Sequence, residues 1–402
     1  MEKVFIVAAK RTPIGSFGGS LKGTSAGNLG AAAIKGALDS AQIKPEIIDE
    51  VIMGNVVGAG QGMGVARQAS IYAGVPDSVP AYGVNMICGS GMKSVMDGVA
   101  HIKAGDADIV VAGGVEVMSQ IPFGASGNIR NGHKMGSIEM VDLMINDGLT
   151  DVFNQYHMGV TAENIAKKLG ITREEQDEFA LDSQQKAVAA VESGKFKDEI
   201  VPVEVKVRRD TISFSDDEYP KKDATLDALT KLRPAFDKEG TVTAGNASGI
   251  NDGASVVVLA SETACQKHGL TPLVEVVSYG QSGVDPKVMG LGPVDAIKSA
   301  LSKAELNINE IELFELNEAF AAQALGVVYQ LCDHFSISKE SILERSNVNG
   351  GAIALGHPLG ASGNRILVSL IYEMRKRSNK YGLASLCVGG GMGTAIIVKS
   401  LD

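Results

Sequence analysis

His357 lies in a glycine-rich stretch, residues 349–363, and is followed directly by Pro358. Because glycine costs backbone entropy wherever it is ordered, such a stretch indicates an unusual backbone path or the close approach of another group. A histidine held by that backbone, beside a rigid proline, is a candidate for acid–base chemistry. A glycine-rich turn with an incidental histidine fits the same residues, and both interpretations stand at this point.

Cys88 lies at a predicted elbow between a strand and a helix, within residues 85–91. A thiol at the N-terminus of a helix faces unpaired N–H groups and the positive end of the helix dipole, which favours the thiolate. The neighbouring glycines, Gly89 and Gly91, allow another group to approach the sulfur. The alternative is that Cys88 is a small buried hydrophobic residue.

Cys387 ends a predicted strand that runs into the glycine turn of residues 389–391. Turns of this kind expose successive backbone N–H groups, which form anion-binding nests. A tight turn between strands with a buried cysteine is the alternative. Cys265 and Cys332 lie in helix-like segments, and we predict that both are structural.

Asn317 follows a predicted strand, residues 312–316, where its side-chain amide could hold a water molecule or an oxyanion. Its alternative role is the N-cap of a helix, which asparagine fills well. His157 precedes a predicted helix, and either lines a pocket or marks the helix entry. The remaining histidines are predicted to be solvated in helices or polar loops: His101, His133, His268 and His334.

Two cysteines, a histidine and an asparagine in glycine-rich loops together favour a single site. A Cys–His pair supplies an activated nucleophile. A second cysteine can act as a general acid and then as a general base where its surroundings tune its pKa. Backbone N–H groups can stabilise the oxyanion of a thioester.

The composition limits the class of protein. At 402 residues the chain exceeds the size of a usual single core, so two or three domains are expected. A formal net charge of −10 disfavours binding to nucleic acid or to an anionic membrane. The four cysteines and six histidines have neither metal-site nor disulfide-framework spacing, so we expect no metal and a cytoplasmic location with reduced thiols. We also expect no membrane span and no signal peptide, because no apolar run has the required length.

Short apolar runs that are typical of buried strands alternate with helical patterns along the chain. The runs cover residues 4–9, 51–54, 108–112 and 256–260, and the helical patterns cover residues 29–41, 67–72, 91–104, 159–169 and 173–193. Alternation of this kind predicts an α/β fold with a mostly central sheet.

The second half of the chain repeats the first in the same order. Residues 48–55 resemble 308–317, residues 84–94 match the two ends of 348–365, and residues 108–119 resemble 383–395. Asn85 precedes Ser90 by five positions and Asn349 precedes Ser362 by thirteen, so the second copy carries eight extra residues, His357 among them. Ordered repeats rarely arise by chance. We therefore predict two similar halves that share a site, residues 1–118 plus 249–270 and residues 271–402, with residues 119–248 inserted in the first.

The same motifs resemble those of the thiolase family over nearly the whole chain. Four segments carry the likeness: residues 85–91, 317–322, 350–363 and 387–393. The resemblance implies a duplicated five-layered α/β/α/β/α fold with an inserted loop domain, residues 119–248, that covers the active site. Residues 155–159 and Met289 point to the biosynthetic branch, the acetyl-CoA C-acetyltransferases, which condense two acetyl-CoA molecules to acetoacetyl-CoA and CoA.

The resemblance also implies a role for each motif residue. Cys88 would take the acetyl group from acetyl-CoA, with His357 receiving or sharing its proton. Cys387 would protonate the departing CoA thiolate and then remove a proton from the methyl group of a second acetyl-CoA. His357 and a water held by Asn317 would stabilise the enolate oxygen. The N–H groups of Cys88 and Gly389 would stabilise the tetrahedral oxyanion.

For the CoA thioester, the resemblance implies a binding surface on the loop domain and beside the catalytic motifs. Its residues are His157, Met158, Lys221, Phe236, Ala247, Ser248, Met289, Ala319 and Phe320. Lys221 stands where related sequences can place an arginine near the CoA diphosphate, and lysine lacks the fork of donors that binds phosphate tightly. No metal or redox cofactor is implied, because the CoA thioesters are substrates.

A degradative 3-ketoacyl-CoA thiolase, acting on longer chains with the same four residues, is the main alternative. Met158 and the compact segment 144–158 favour a short acyl pocket. A non-catalytic CoA-binding relative has no need of all four residues, and a ketosynthase uses two histidines where this chain offers His357 and Cys387. The resemblance further implies a homo-oligomer, a dimer or a dimer of dimers, with residues 119–142 as a candidate hairpin between dimers.

Overall fold

The structure is a computed structural model that describes residues 2–401. Its strands are β1 Val4–Arg11, β2 Gly15–Ser16, β3 Glu50–Gly54, β4 Ala81–Val84, β5 Ile109–Val117, β6 Phe123–Ala125, β7 Met140–Asp142, β8 Thr150–Asp151, β9 Tyr156–His157, β10 Val203–Val207, β11 Asp210–Phe214, β12 Asn251–Ser261, β13 Val274–Gly283, β14 Leu313–Leu316, β15 Tyr381–Val388 and β16 Met392–Ser400. Its α-helices are α1 Ala26–Ser40, α2 Val65–Tyr72, α3 Ser90–Ala104, α4 Met158–Leu169, α5 Arg173–Glu192, α6 Leu226–Thr230, α7 Glu262–His268, α8 Gly292–Ala304, α9 Ala321–Phe335, α10 Lys339–Leu343, α11 Ala352–Leu355 and α12 Leu359–Arg377.

The strands and helices predicted from apolar patterns are confirmed, with shifted ends. Strands β5 and β12 are longer than their apolar cores because glycines and polar residues, after the core of β5 and before that of β12, continue the same backbone pairing. Helix α1 begins at Ala26, ahead of its apolar pattern, because the hydroxyl of Ser25 accepts a hydrogen bond from the N–H of Asn28 and caps the helix.

The two halves of the main sheet have the same strand pattern, which confirms the predicted duplication. In the first half, β12 is antiparallel to β1 and β5, and β3 is parallel to β5 and β4. In the second half, β16 is antiparallel to β13 and β15, and β14 is parallel to β15. Phe314 of β14 also forms a parallel bridge with Ser346, which stands in the place of β4. The halves join where β1 pairs with β13.

Five layers of secondary structure result, as the family resemblance implied. Helices α3 and α12 form the middle layer, and their apolar side chains pack with strands of both halves. Helices α1 and α2 cover the outer face of the first half, whereas α8 and α9 cover the outer face of the second. Alternate residues of a strand therefore reach different layers, since neighbouring side chains of a strand point to opposite faces.

The middle helices touch at two glycines that occupy equivalent places in the repeat. A Cβ atom on Gly91 of α3 would lie 2.8 Å from the carbonyl oxygen of Gly360, and one on Gly363 of α12 would lie 2.6 Å from the backbone nitrogen of Met92. Both contacts are too short for any side chain. The glycines therefore let the first turns of α3 and α12 meet, and the segments that enter these helices carry Cys88 and His357.

The segment between β5 and β12 contains α4, α5, α6 and three two-stranded sheets, which pair β6 with β7, β8 with β9 and β10 with β11. Arg11 at the end of β1 binds this segment: its Nε lies 2.6 Å from Glu199, and its Nη atoms lie 2.7 and 2.8 Å from the carboxylate of Asp217. The boundaries proposed for the three units stay predictions. Within residues 2–401, every helix is too short or too polar to cross a membrane.

Candidate active site

One cavity of about 540 Å³ gathers nearly all of the predicted site residues. Its size is typical of a pocket for a small molecule. Its wall includes the predicted catalytic residues Cys88, His357, Cys387 and Gly389. From the predicted CoA-binding set it includes His157, Met158, Phe236, Ala247, Ser248, Met289, Ala319 and Phe320. Both halves and the inserted segment therefore contribute to one site.

Two predicted residues lie off this wall, for different reasons. Asn317 is buried directly behind it, at the end of β14 and two positions before Ala319. Lys221 lines a separate surface depression, and its Nζ lies 5.8 Å from the ring centre of Tyr219, which does line the cavity. The structure therefore brings Lys221 only to the edge of the site.

The elbow that carries Cys88 is held by its own side chains. The side-chain oxygen of Asn85 accepts a hydrogen bond of 3.0 Å from the N–H of Ile87. The hydroxyl of Ser90 accepts from the N–H of Met86 at 2.9 Å and donates to the carbonyl of Ile87 at 2.6 Å. Ile87 has a φ of 46°, a left-handed conformation that is costly for a β-branched residue. The local hydrogen bonds maintain this strained turn, which presents Cys88 just before α3.

The Cys88 thiol is protonated at neutral pH in this site. Burial raises its pKa to about 11, and the charge of Glu116 acts in the same direction. The backbone N–H groups of Gly389 and of Cys88 itself oppose this shift, because they donate hydrogen bonds to the sulfur. Cys88 thus needs a base to become a nucleophile, and the same two N–H groups are placed to bind an oxyanion.

The hydrogen bonds of His357 define which of its ring nitrogens carries the proton. The hydroxyl of Ser362 donates to the carbonyl of Pro358 at 2.8 Å, and its oxygen lies 2.6 Å from Nδ1 of His357. Since the only hydroxyl proton of Ser362 is already donated, Nδ1–H must be the donor to this oxygen. Nε2 then carries the lone pair, and His357 lines the cavity.

Burial and the charge of Arg365 lower the pKa of His357 to about 4. The imidazole is therefore neutral at physiological pH, with an unprotonated Nε2 that has no hydrogen-bond partner among the described residues. The backbone N–H of His357 donates to the side-chain oxygen of Asn251 at 3.0 Å, which fixes the loop from behind. A neutral, fixed imidazole of this kind can accept a proton from a thiol.

Cys387 is the last residue but one of β15, at the hairpin that leads into β16. A Cβ atom on Gly89 would lie 2.8 Å from Cγ2 of Val388, so the elbow of the first half touches the hairpin of the second at a glycine. Burial and the nearby Cys88 sulfur both raise the pKa of the Cys387 thiol. Its thiol is accordingly a proton donor first, and becomes a base only after it has lost that proton.

Asn317 does not cap a helix, because α9 begins at Ala321 and Phe320 precedes it directly. Its backbone N–H donates to Ser385 of β15 at 3.0 Å, which holds it beside the Cys387 strand. Its side chain is buried, and neither amide atom has a hydrogen-bond partner within residues 2–401. Because buried polar groups are costly without partners, this amide is a group that the site offers to a substrate or a water.

His157 fills both roles that the sequence left open. Its Nδ1 accepts a hydrogen bond of 3.0 Å from the N–H of Gly159, so it caps α4. Its ring also stacks on Phe236 at a centroid distance of 4.6 Å, on the cavity wall. Because Nδ1 is the acceptor, Nε2 carries the proton of the neutral ring and can donate a hydrogen bond to a ligand.

The prediction that the other histidines are solvated is wrong for His101 alone. His101 is half-buried, and its Nδ1 lies 2.7 Å from the carboxylate of Glu50, whereas the other three are exposed. Both cysteines predicted to be structural lie in helices, Cys265 in α7 and Cys332 in α9. Within residues 2–401, no group of three or more His, Cys, Asp or Glu side chains is arranged to hold a metal ion.

Sequence reasoning missed several residues of the cavity wall: Phe17, Ile87, Met118, Leu149, Tyr219 and Leu359. Some had a signal, since Ile87 precedes Cys88 and Leu359 follows the His-Pro pair. Phe17 and Tyr219 come from loops far apart in the chain, and only the fold brings them together. The buried carboxylate of Glu116 was also missed, although a glutamate at the end of an apolar strand is unusual.

Comparisons with known proteins agree with this arrangement. The family model for the N-terminal domain of thiolase matches residues 4–263, and the model for the C-terminal domain matches residues 270–400. The acetyl-CoA acetyltransferase of Cupriavidus necator is 56% identical over 400 residues, which covers 99% of this chain and 100% of that protein.

Two solved structures have the same fold. The Bacillus anthracis acetyl-CoA acetyltransferase is 44% identical, with a TM-score of 0.95, over 100% of this chain and 99% of that chain. The human mitochondrial 3-ketoacyl-CoA thiolase in complex with CoA is 46% identical, with a TM-score of 0.92, over 100% of this chain and 98% of that chain.

The fold and the family models therefore define an acyltransferase with a duplicated α/β architecture. The chain belongs to the thiolase family.

Proposed function

We propose that this enzyme is an acetyl-CoA C-acetyltransferase, which reversibly condenses two acetyl-CoA molecules to acetoacetyl-CoA and CoA. The observation that carries the proposal is the convergence of Cys88, Cys387, His357 and the N–H group of Gly389 on one cavity. The names of the full-length relatives support the choice of substrate. In this proposal the CoA thioesters are substrates, and the reaction as written uses no metal or redox cofactor.

In the first half-reaction, Nε2 of His357 takes the proton of the Cys88 thiol, and the sulfur attacks the thioester carbon of acetyl-CoA. The N–H groups of Cys88 and Gly389 bind the oxygen of the tetrahedral intermediate. When this intermediate collapses, the C–S bond to CoA breaks and Cys387 gives its proton to the departing thiolate. Acetyl-Cys88, a Cys387 thiolate and a protonated His357 remain.

In the second half-reaction, the Cys387 thiolate removes a proton from the methyl group of another acetyl-CoA. The protonated His357 and a water on Asn317 stabilise the enolate oxygen. The enolate carbon attacks acetyl-Cys88, and the bond to the Cys88 sulfur breaks as His357 returns the proton. Each residue is then in its starting state, so the cycle balances and explains why two thiols are needed.

The thioester arm lies, in this proposal, against the part of the wall that the inserted segment supplies. His157 and Phe236 stack there, and Met158, Ala247 and Ser248 continue the surface. Met289, Ala319 and Phe320 flank the position of the thioester. Lys221, at the edge of the site, would contact the CoA diphosphate. Its ammonium group supplies a positive charge without the paired donors of arginine.

Mass analysis after incubation with acetyl-CoA tests the mechanism directly. We expect one acetyl group on the peptide that contains Cys88, and none in a Cys88→Ala variant. Cys332→Ala is a matched control, because Cys332 is likewise a partly buried free cysteine, outside the site. Acetyl-CoA that leaves Cys88 unmodified while the enzyme turns over would refute the acetyl-Cys88 intermediate.

A Cys387→Ala variant separates the two half-reactions. We expect it to accept an acetyl group slowly on Cys88, because His357 and both N–H groups remain. It should not exchange the methyl protons of acetyl-CoA with deuterated water, because the base has been removed. Exchange at the wild-type rate would exclude Cys387 as that base.

A degradative 3-ketoacyl-CoA thiolase is the second candidate, supported by the similarity to the human mitochondrial 3-ketoacyl-CoA thiolase. The mechanism is shared, so the acyl pocket decides. Turnover of a series of 3-ketoacyl-CoA substrates with free CoA distinguishes the two. A preference for acetoacetyl-CoA supports the acetyltransferase, whereas equal turnover of long chains supports the degradative enzyme.

For the assembly, the proposal includes a cytoplasmic dimer of dimers. The β6–β7 hairpin supports it, because Phe123 and Met140 are 61% and 58% exposed, which is unusual for large apolar side chains. Sedimentation of the wild-type chain and of a Phe123→Ser/Met140→Ser variant tests this part. A tetramer that becomes a dimer is expected, and an unchanged mass would refute the role of the hairpin.

A further inference from the structure

Glu116, near the end of β5, is fully buried and does not line the cavity. Its side chain points to the middle layer, whereas its neighbours Val115 and Val117 belong to the outer core of the first half. One carboxylate oxygen accepts hydrogen bonds of 2.9 Å from the N–H groups of both Val56 and Gly360. The other accepts bonds of 3.2 Å from the N–H of Val57 and from the side chain of Asn55.

The first of these contacts, with the N–H of Val56, connects Glu116 to the elbow that carries Cys88. The carbonyl of Val56 accepts a hydrogen bond of 3.0 Å from the side chain of Asn85, and the oxygen of the same amide binds the N–H of Ile87. Ile87 is the strained residue directly before Cys88. Val56 therefore connects the two groups, since its N–H binds the Glu116 carboxylate and its carbonyl binds Asn85 of the Cys88 elbow.

The second contact leads to the histidine. Gly360 is in the first turn of α12, and only Pro358 and Leu359 separate it from His357. The first turn of a helix has unpaired N–H groups and a positive partial charge, so a carboxylate is stabilising there. A Cβ atom on Gly360 would lie 2.7 Å from the Glu116 carboxylate, which shows how closely the two segments are packed.

The repeat places Glu116 where the other half has Cys387. Gly54 of β3 lies opposite Gly114 of β5, and Leu316 of β14 lies opposite Ser385 of β15. Glu116 lies two residues after Gly114, and Cys387 lies two residues after Ser385, so the two residues occupy equivalent places. Asn55 and Asn317 are likewise equivalent, because each directly follows the strand that ends there. One half thus uses this place for proton transfer, and the other has a carboxylate that touches no substrate.

We propose that Glu116 is a positioning residue that holds Cys88 and His357 in register, because its one carboxylate binds both the loop beneath the Cys88 elbow and the first turn of α12. The inference rests on the roles proposed above for these two residues. Displacement of either group by about 1 Å is enough to lower the rate of an enzyme by about 100-fold.

The charge of Glu116 acts on the same two segments. Burial raises its pKa to about 7, the N–H donors oppose this shift, and the charge of Asp252 on β12 adds to it. The titratable groups that face it are Asp252, the Cys88 thiol and, beyond the first turn of α12, His357. Above about pH 8 the carboxylate is ionised and keeps the Cys88 pKa high. Removal of the Glu116 charge should therefore lower the pKa of Cys88, an effect that a general loss of stability would not produce.

Two variants separate the effect of the Glu116 charge from the effect of its side-chain length, and Glu310→Gln is the control. Glu310 also accepts a backbone N–H, that of Asn307 at 2.8 Å, but on the surface and away from the cavity. Glu116→Gln keeps the size of the side chain and removes the charge, and its amide N–H groups oppose the surrounding donors. Glu116→Asp keeps the charge and is too short to reach both segments. Steady-state rates are measured about one pH unit above neutrality, and alkylation of Cys88 by iodoacetamide is followed against pH by peptide mass analysis.

The expected result, at a temperature where both variants are folded, is a fall in kcat of about 100-fold in both, with KM within about threefold. The midpoint of the alkylation curve should fall in Glu116→Gln and stay in place in Glu116→Asp. If Glu116→Gln does not fold, the fall in kcat of Glu116→Asp at constant KM still tests the positioning role.

Three results would overturn the inference. The first is a kcat in both variants that is as close to the wild-type value as the kcat of Glu310→Gln. The second is a loss of kcat that is fully explained by a raised KM and a lower melting temperature. The third is an unchanged alkylation midpoint in Glu116→Gln. A wild-type enzyme that is never acetylated on Cys88 would instead refute the proposed mechanism. The two failures are therefore distinguishable.

Discussion

Nδ1 of His357 lies 2.6 Å from the hydroxyl oxygen of Ser362, and that hydroxyl has already donated its proton to the carbonyl of Pro358. Only one tautomer of the neutral imidazole fits this arrangement, with the proton on Nδ1 and the lone pair on Nε2. It also spans one turn at the start of α12, so the helix that positions the histidine also sets its tautomer. The same serine is equivalent, in the repeat, to Ser90 of the Cys88 elbow.

Replacement of Ser362 by alanine should lower kcat by about 100-fold, with little change in KM. The reason is that Nδ1 loses its acceptor, so the imidazole is no longer confined to the tautomer that can take a proton from Cys88. Steady-state kinetics with acetoacetyl-CoA and CoA measure this effect. Ser278→Ala is the matched control, because Ser278 is a buried serine that donates to the carbonyl of Ala300 at 2.7 Å, far from the cavity. Equal kinetics for the two variants would contradict the tautomer argument.

Alkylation of Cys88 should depend on pH in a way that reveals the base. Because burial raises the pKa of the Cys88 thiol to about 11, free thiolate forms only as the pH rises through that value. His357 should keep Cys88 reactive at neutral pH, since its own pKa of about 4 leaves it unprotonated there. In His357→Ala we expect the rate of alkylation at neutral pH to fall by at least about tenfold and to rise about tenfold per pH unit below the thiol pKa. Parallel pH curves for the two enzymes would show that Cys88 does not use this base.

Met158 should limit the length of the acyl chain. It lines the cavity and belongs to the same apolar cluster as Cys387. Truncation in Met158→Ala should therefore raise kcat/KM for 3-ketohexanoyl-CoA relative to acetoacetyl-CoA by about tenfold, the usual effect of a few methylene groups in a pocket. Met374→Ala is the control, because Met374 of α12 is also a buried methionine but lies outside the cavity wall. An identical change in both variants would indicate general loosening instead of a steric limit.

Arg11 should stabilise the attachment of the inserted segment to the core. Its guanidinium is fully buried between Glu199 and Asp217, so Arg11→Met leaves two buried carboxylates without their partner. We expect a loss of about 3–5 kcal/mol in the free energy of unfolding, measured by urea denaturation. Lys231→Met, which breaks an exposed pair with Asp227, should change it by less than about 1 kcal/mol. Similar values for the two variants would contradict a structural role for the buried pair.

Local sequence patterns predicted much of the fold because they report local physics. Apolar runs marked β1, β3, β5 and β12, and the ordered repeats predicted two similar halves, whose strands do pair in the same way. The ends of the elements were less predictable, since capping by Ser25 and continued strand pairing do not follow the apolar pattern. The position of Lys221 could not be read from its motif, because a side chain on a loop is placed by packing against distant residues.

Short motifs were enough to identify the candidate residues for the chemistry, since Cys88, Cys387 and His357 lie among glycines and Asn317 directly follows a predicted strand. The sequence by itself also determined that two similar halves supply them. The folded structure was needed to show which nitrogen of His357 carries the lone pair, and that Asn317 is a buried amide without a partner among the described residues and not a helix cap. The fold alone shows that the Glu116 carboxylate accepts hydrogen bonds from the N–H groups of both Val56 and Gly360. The physical reason is that hydrogen bonds and burial depend on groups that are far apart in the chain, whereas a motif records only its neighbours.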